Sequence, residues 1–469
     1  MPLSLPRLSQ VISLYNGDSD SDGAIASASA SERKPLDASS KHPATHPTRA
    51  FTLGDMLSSP WQYTTTATTS SDEEAGREDE PQLVMPDYST SSRRPPQLTF
   101  RDDGSFSESR IRVHPQTGCV ALSGTYVVVG HDHHIKIFDL AKSEIPLLKL
   151  DTKDIVGAVK DSRVSCMEFR PTVSEEDEGF LLWVGTKEGH VFELDIRTGI
   201  VSGIKQSAHH HDIVHIFRHS RSMVTLDESG KALVFSPDVS NQDHKQEDIS
   251  LALTVPRVVN ITEKQDFVKM LDGKLWTAIR TDHHSHLSLK SPTIRVFDIF
   301  NPENTEQSLL PIEHVGPVTS ATIIPSQPRM VYVGHEEGCI SIWEHNNTEE
   351  KEKDKGYRYV EVIKVSSSDI LSLEGVSNRL WAGNRNGTIS AYDVSQKPWS
   401  VTNSWNAHPG FPVVKLIVNH YAITKVGKLC VASVGGDDQL KIWDGFLSWD
   451  WVGEFVENTV VLISLYFFF

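Results

Sequence analysis

From about residue 97 onward the chain runs in short apolar stretches broken by turn residues, and within each stretch apolar and polar positions alternate with period two. That is the spacing of β-strands, whose successive side chains point to opposite faces. One stretch recurs seven times: Ile135-Lys136-Ile137-Phe138-Asp139, Val191-Phe192-Glu193-Leu194-Asp195, Leu233-Val234-Phe235-Ser236, Ile294-Arg295-Val296-Phe297-Asp298, Ile340-Ser341-Ile342-Trp343-Glu344, Ile389-Ser390-Ala391-Tyr392-Asp393 and Leu440-Lys441-Ile442-Trp443-Asp444. The aligned positions Phe138, Leu194, Phe235, Phe297, Trp343, Tyr392 and Trp443 follow one another at intervals of 41 to 62 residues.

Strand-and-turn repeats of roughly 40–45 residues plus loops stack as blades around an axis. The expected fold class is therefore all-β, a seven-bladed β-propeller over residues 97–452. A closed ring needs its last blade completed by a strand from before residue 120, assigned to Ser109 to His114, because an unpaired edge invites aggregation. Ahead of the ring, residues 1–96 are rich in Ser, Thr, Pro and acidic residues, as in the run from Thr64 to Ser71 followed by Asp72-Glu73-Glu74. Such a stretch buries too little to order itself and is expected as a disordered tail. Its one apolar island, Phe51 to Leu57 with Trp61 and Tyr63, reads as incidental hydrophobes or a docking segment. Residues 453–469 are expected as a short apolar tail. Its last ten residues are about half of what a spanning helix needs, so no stable membrane insertion follows.

The repeats resemble the WD-repeat family, whose blades run from a His at the outer turn through a turn Asp to a terminal Trp-Asp. In blade seven His408, Asp437, Trp443 and Asp444 fill those positions; blade five has His314, Trp343 and Glu344. The resemblance implies that His, Asp and Trp hydrogen-bond within one blade and fix its turn. Elsewhere the turn Asp is replaced by Glu188, Ser229, Ser291, Glu337 or Asn386.

Charge and cysteine content narrow the function. With 45 Lys+Arg against 62 Asp+Glu the formal net charge is −17, unfavourable for a non-specific grip on nucleic acid or anionic lipid. Cys119, Cys166, Cys339 and Cys430 lie far apart in apolar runs, without CxxC pairs, which suits a reducing, cytoplasmic compartment. The first fifteen residues contain one Arg and no continuous apolar stretch of signal-peptide length.

No motif for chemistry is complete. Asp18, Asp20, Asp22 and Gly23 imitate the start of an EF-hand loop, but Ser29 stands where the closing Glu belongs. The histidine groups His131, His133 and His134, His209, His210, His211 and His215, and His283, His284 and His286 sit by turns with no Cys spaced to join them, and are read as solvated turn residues. Nucleophile-elbow, phosphate-loop, HExxH and dinucleotide signatures are missing. Catalytic, cofactor-binding and metal-binding residues are accordingly expected to be none, with proteins or peptides as partners through the propeller loops.

The run from Leu440 to Val452, with Gly445-Phe446-Leu447-Ser448-Trp449-Asp450-Trp451 after the last blade, together with the long Ser/Thr-rich tail and seven diverged blades, resembles the amino-terminal half of fungal inositol polyphosphate 5-phosphatases. In that family a propeller precedes the catalytic domain. The resemblance implies a scaffold acting in phosphatidylinositol dephosphorylation and not itself an enzyme, because the family's Trp-Asn-x-x-Gly and Pro-x-Trp-Cys-Asp-Arg segments have no match. Trp405-Asn406-Ala407-His408-Pro409-Gly410 places its Gly one residue too late. The ending from Val456 to Phe469 matches nothing in the family and is expected to mark a misread or truncated reading frame. A different class is the alternative: Asp195-Ile196-Arg197 resembles the blade ending of WD-repeat substrate receptors for cullin ubiquitin ligases, with Leu194 in place of Trp.

Overall fold

A computed structural model describes residues 85–93, 111–140, 142–143, 145–156, 162–237, 248–261, 265–279, 293–301, 307–309, 315–346, 356–419 and 430–444, with the side chains of residues 419, 430 and 444 left aside. Seven four-stranded antiparallel sheets form, six of them meandering from an innermost to an outermost strand and the seventh completed by the first strand of the ring. Blade one is Cys119–Ser123, Tyr126–His131, His134–Asp139 and Leu148–Asp151. Blade two is Val164–Phe169, Leu181–Thr186, Val191–Asp195 and Val201–Lys205. Blade three is Ile213–His219, Ser222–Asp227, Lys231–Phe235 and Arg257–Asn260. Blade four is Phe267–Leu271, Lys274–Ala278, Ile294–Phe297 and Gln307–Leu309. Blade five is Val318–Ile323, Met330–His335, Cys339–Asn346 and Gly356–Lys364. Blade six is Ile370–Val376, Arg379–Asn384, Thr388–Asp393 and Ser400–Asn406. Blade seven is Val413–Asn419, Cys430–Gly435 and Gln439–Asp444, with Ile111–Arg112 as its outermost strand.

Each of the seven recurring runs is a third strand, and the expected closure is present: Ile111 pairs Leu440 and Arg112 pairs Gln439. This strand comes from the start of the ring and finishes its last sheet, so no gap is left between blades seven and one. Ile111 and Val113 pack there with Val127 and Phe138 of blade one and Ala432 and Leu440 of blade seven.

The second and third strands are buried on both faces, as in Leu181–Thr186 and Val191–Asp195, because every blade has a neighbour on each side. One apolar cluster fills each of the seven gaps between blades. Trp183, Trp276, Trp343 and Tyr332 are the largest of their fully buried side chains. Dispersion and burial of such flat rings hold blade to blade.

Part of the stretch read as tail belongs to the ring. Residues 85–93 lie along the outermost strand of blade six, with Asp87 bridged to Ser400 and Ser92 to Asn403 in parallel sense. The outer edge of that strand presents unpaired N–H and C=O groups, and polar residues satisfy them as well as apolar ones do. The expected residues 1–84 of the tail, the apolar island, the EF-hand-like run and residues 445–469 lie outside the described residues.

Candidate interaction surface

The side chains singled out from the sequence build polar networks inside blades. In blade seven His408 Nδ1 is 2.9 Å from Asp437 Oδ1, His408 Nε2 is 2.8 Å from Ser433 Oγ, and Trp443 Nε1 donates to Ser433 Oγ at 2.8 Å. A carboxylate only accepts, so Nδ1 carries the ring proton, Nε2 accepts from Ser433, and Ser433 accepts from Trp443. The ring sits where it does because the backbone N–H of His408 donates to Gly387 O at the blade-six turn. Gly387 has φ +88 and no room for a Cβ, which would lie 2.0 Å from His408 O.

Blade three holds the histidine part of this circuit, with Phe235 where blade seven has the Trp443 donor. His209 is buried, with Nδ1 2.9 Å from Asp227 Oδ2 and Nε2 2.8 Å from Thr225 Oγ1. It belongs to the group His209, His210, His211 and His215 that the sequence suggests is solvated; His210 and His211 are exposed, but His209 is 1% exposed. Its backbone N–H docks on Gly189 O as that of His408 docks on Gly387. In blade five the ring comes from the second strand: His335 Nδ1 donates to Gly316 O at 2.9 Å, and Nε2 is 2.8 Å from Ser341 Oγ, to which Trp343 Nε1 donates at 3.1 Å. His314 lies outside the described residues, and Asp444 is placed only as the end of its strand.

Ladder register explains what pattern matching missed. Val431 pairs Trp443, Met223 pairs Phe235 and Val331 pairs Trp343, which makes Gly435, Asp227 and His335 equivalent positions. By the same rule Thr186 and Asn384 stand there in blades two and six. All four polar residues are at most 2% exposed. The usable signal was a polar residue ending an otherwise apolar second strand, two positions before the turn Asp.

Burial lowers the pKa of His209 and His408 despite their carboxylates, and brings His335 down to about 4. Burial works against the Asp227 carboxylate too, but hydrogen bonds from Ser229, the Lys231 N–H and His209 hold it below its ordinary value. These rings are structural and neutral near pH 7.

Toward the axis, the innermost strands carry the charged pair Lys269 Nζ–Glu374 Oε1 at 2.5 Å, and Lys415 Nζ donates to Gly118 O at 3.3 Å. Burial pushes the Glu168 carboxyl up to about 7 and the His215 ring down to about 4. Between blades three and four a cavity of about 280 Å³ is lined by His215, Leu226, Asp227, Gln265, Val268 and Thr277, among others. Among the described residues no group of three His, Cys, Asp or Glu side chains could hold a metal ion, and no helix is long and apolar enough to cross a membrane. Cys119, Cys166 and Cys339 are free and buried, and burial pushes the first two thiols to about 12.

The loop from Thr172 to Gly179 is tied down by Glu178 to Arg218 at 2.8 Å and by Val173 N–H to Asp248. Arg197 is held by Asp195 at 3.1 Å and Asp177 at 2.9 Å, and its guanidinium lies 4.6 Å from the Phe180 ring centre. Ile200, Ile204, Leu253, Val255 and Val258 are exposed on the outer strands and turns of blades two and three. On blade six, Trp405 lies one residue before the end of the outermost strand and packs between Trp381 and Trp443.

No protein-family model matches the chain. Over 388 residues, 78% of its length, it is 26% identical to a probable inositol polyphosphate 5-phosphatase of Schizosaccharomyces pombe, and it spans 28% of that relative's length. The resemblance read from the sequence thus has a counterpart in this relative. Among solved structures the chain is similar to a chain of a mitotic checkpoint complex, with TM-score 0.49, 12% identity and coverage of 81% of this chain and 98% of that one. It is also similar to a computationally designed protein, with TM-score 0.45, 17% identity and coverage of 71% and 98%.

Proposed function

We propose that the chain is a protein-interaction scaffold, the propeller portion of an inositol polyphosphate 5-phosphatase-type polypeptide, serving phosphatidylinositol dephosphorylation by placing the phosphatase and not by reacting itself. The observation that carries this reading is the 26% identity over 388 residues to a phosphatase of which the chain spans 28%. The propeller chemistry agrees with it. The histidine–carboxylate pairs of blades three and seven, which in a cleft would suggest acid–base work, are consumed in closing blade turns.

The proposed arrangement is a tail over residues 1–84, a propeller assembled from residues 85–452, and a short segment after it; the partners are proteins or peptides met in the cytoplasm, without nucleic acid. Exposed apolar side chains such as Leu253 and Val255 offer one surface for them. No observation favours the ligase-receptor alternative, since Arg197 is engaged inside blade two.

Incubating the purified chain with magnesium and inositol polyphosphates or phosphoinositides tests the non-catalytic part. No phosphate release is expected, and clear turnover would overturn it. Sequencing the transcript past the codon for Phe469 tests the linkage, with an in-frame phosphatase domain as the expected result.

A further inference from the structure

Residues 85–93 are seated on blade six as an extended peptide would be. Asp87 N–H donates to Trp399 O at 2.6 Å, Val401 N–H to Asp87 O at 2.8 Å, Ser92 N–H to Thr402 O at 2.9 Å and Ser404 N–H to Ser92 O at 2.9 Å. Between the two bridges the peptide advances from Asp87 to Ser92 while the blade advances only from Ser400 to Asn403, so residues 88–91 bulge away. The Asp87 carboxylate stabilises that bulge by accepting from the Ser89 N–H at 2.8 Å and the Ser89 hydroxyl at 2.9 Å. Tyr88 uses the slack to reach the gap between blades five and six, where its hydroxyl donates to Val365 O at 2.7 Å.

The attachment is specific in main-chain register but shallow. Met85 is 62% exposed and Tyr88 45%, and Pro86 alone of residues 85–93 is buried. Strand addition of this kind draws its affinity from backbone hydrogen bonds and its selectivity from the few side chains that find partners. With little apolar area buried, an equivalent strand from another molecule loses little by comparison, apart from the advantage of the tether. That tether is residues 94–110, which join the peptide to the ring-closing strand at Ile111.

We propose that the outer edge of blade six is a strand-capture site, that residues 85–93 are its ligand in cis, and that its partner in trans is an extended protein segment carrying Asp-Tyr followed by small hydroxyl residues. Tyr88 is the selecting side chain, because the Val365 carbonyl accepts a hydroxyl that phenylalanine lacks. The inference rests on the scaffold reading and gives it a surface and a partner chemistry.

The probe is a fluorescent synthetic peptide of residues 84–94, titrated by anisotropy against the full chain. Wild type is expected to bind it weakly, since the cis segment competes at an effective concentration on the order of millimolar. In the Ser92→Pro chain the cis segment loses its Thr402 hydrogen bond, and the peptide is expected to bind about tenfold tighter. A peptide with Tyr88→Phe should bind that chain about fivefold to tenfold more weakly. Adding Ser404→Pro to the Ser92→Pro chain removes an outward-facing N–H from an edge strand, a place where proline is tolerated, and should weaken capture about tenfold. Equal binding to wild type and Ser92→Pro, or undiminished binding to the Ser404→Pro chain, overturns the proposal. So does slow hydrogen exchange of the Asp87 and Ser92 amides matching that of the blade interior, because the segment then does not leave. Failure here leaves the phosphate-release result untouched, so the two readings fall separately.

Discussion

Asp227 and Asp437 reach their histidines from positions two residues apart in the blade register. Asp227 ends the second strand of blade three, where blade seven has Gly435, while Asp437 stands in the following turn, where blade three has Ser229. Both carboxylates arrive 2.9 Å from an Nδ1. The geometry of the acceptor is kept although its place in the chain is not, because what the buried ring needs is an oxygen at Nδ1 and a hydroxyl at Nε2.

Deleting the two carboxylates should therefore have unequal effects. The Asp227 side chain is 1% exposed and that of Asp437 12%, so water replaces the second more readily. Asp227→Ala is expected to cost about 3 kcal/mol and Asp437→Ala about 1 kcal/mol. Urea unfolding midpoints at constant slope measure the difference.

Gly435 is where the two designs exclude each other. A Cβ there would lie 2.1 Å from His408 Nδ1 and 2.4 Å from Asp437 Oδ1. Gly435→Ala is expected to destabilise by about 2–3 kcal/mol. Combining Gly435→Asp with Asp437→Ser copies blade three and should recover most of that loss, as thermal unfolding would show.

His335 makes stability depend on pH with a definite sign. The unfolded ring takes up a proton near its ordinary value of 6.5, and the folded ring refuses it until about pH 4. The neutral ring's contribution is thus complete above pH 6.5, declines as pH falls below it, and is gone below about pH 4; it amounts to about 3 kcal/mol. His335→Gln should flatten the fall in unfolding free energy between pH 7 and pH 4.5 relative to wild type. An unchanged difference across that window would show that the ring protonates without penalty.

Ring closure hangs on a short strand. Ile111 is 3% exposed and pairs Leu440, so Ile111→Ala leaves a cavity between blades seven and one and is expected to cost about 3 kcal/mol. Loosening the strand uncovers the edge at Gln439–Asp444, and concentration-dependent association in light scattering is the accompanying outcome.

The seven third strands and the closing strand near Ile111 were legible in the sequence, because period-two alternation and a repeated unit are local properties. The Asp437–His408–Trp443 circuit was legible for a related reason: blade seven keeps all its members at their usual spacing. His209 was not, since nothing local distinguishes a buried turn histidine from an exposed neighbour such as His210. Only packing of the His209 backbone on the blade-two turn decided which ring turned inward. Residues 85–93 were hidden more completely. Their composition is that of a tail, and composition records how much apolar surface a segment buries, not whether a free sheet edge waits for its backbone. The sequence by itself determined a repeated strand unit and its count; the tertiary structure decided which polar groups each blade would satisfy, and from where, because a hydrogen bond depends on a position in space that several positions in the chain can reach.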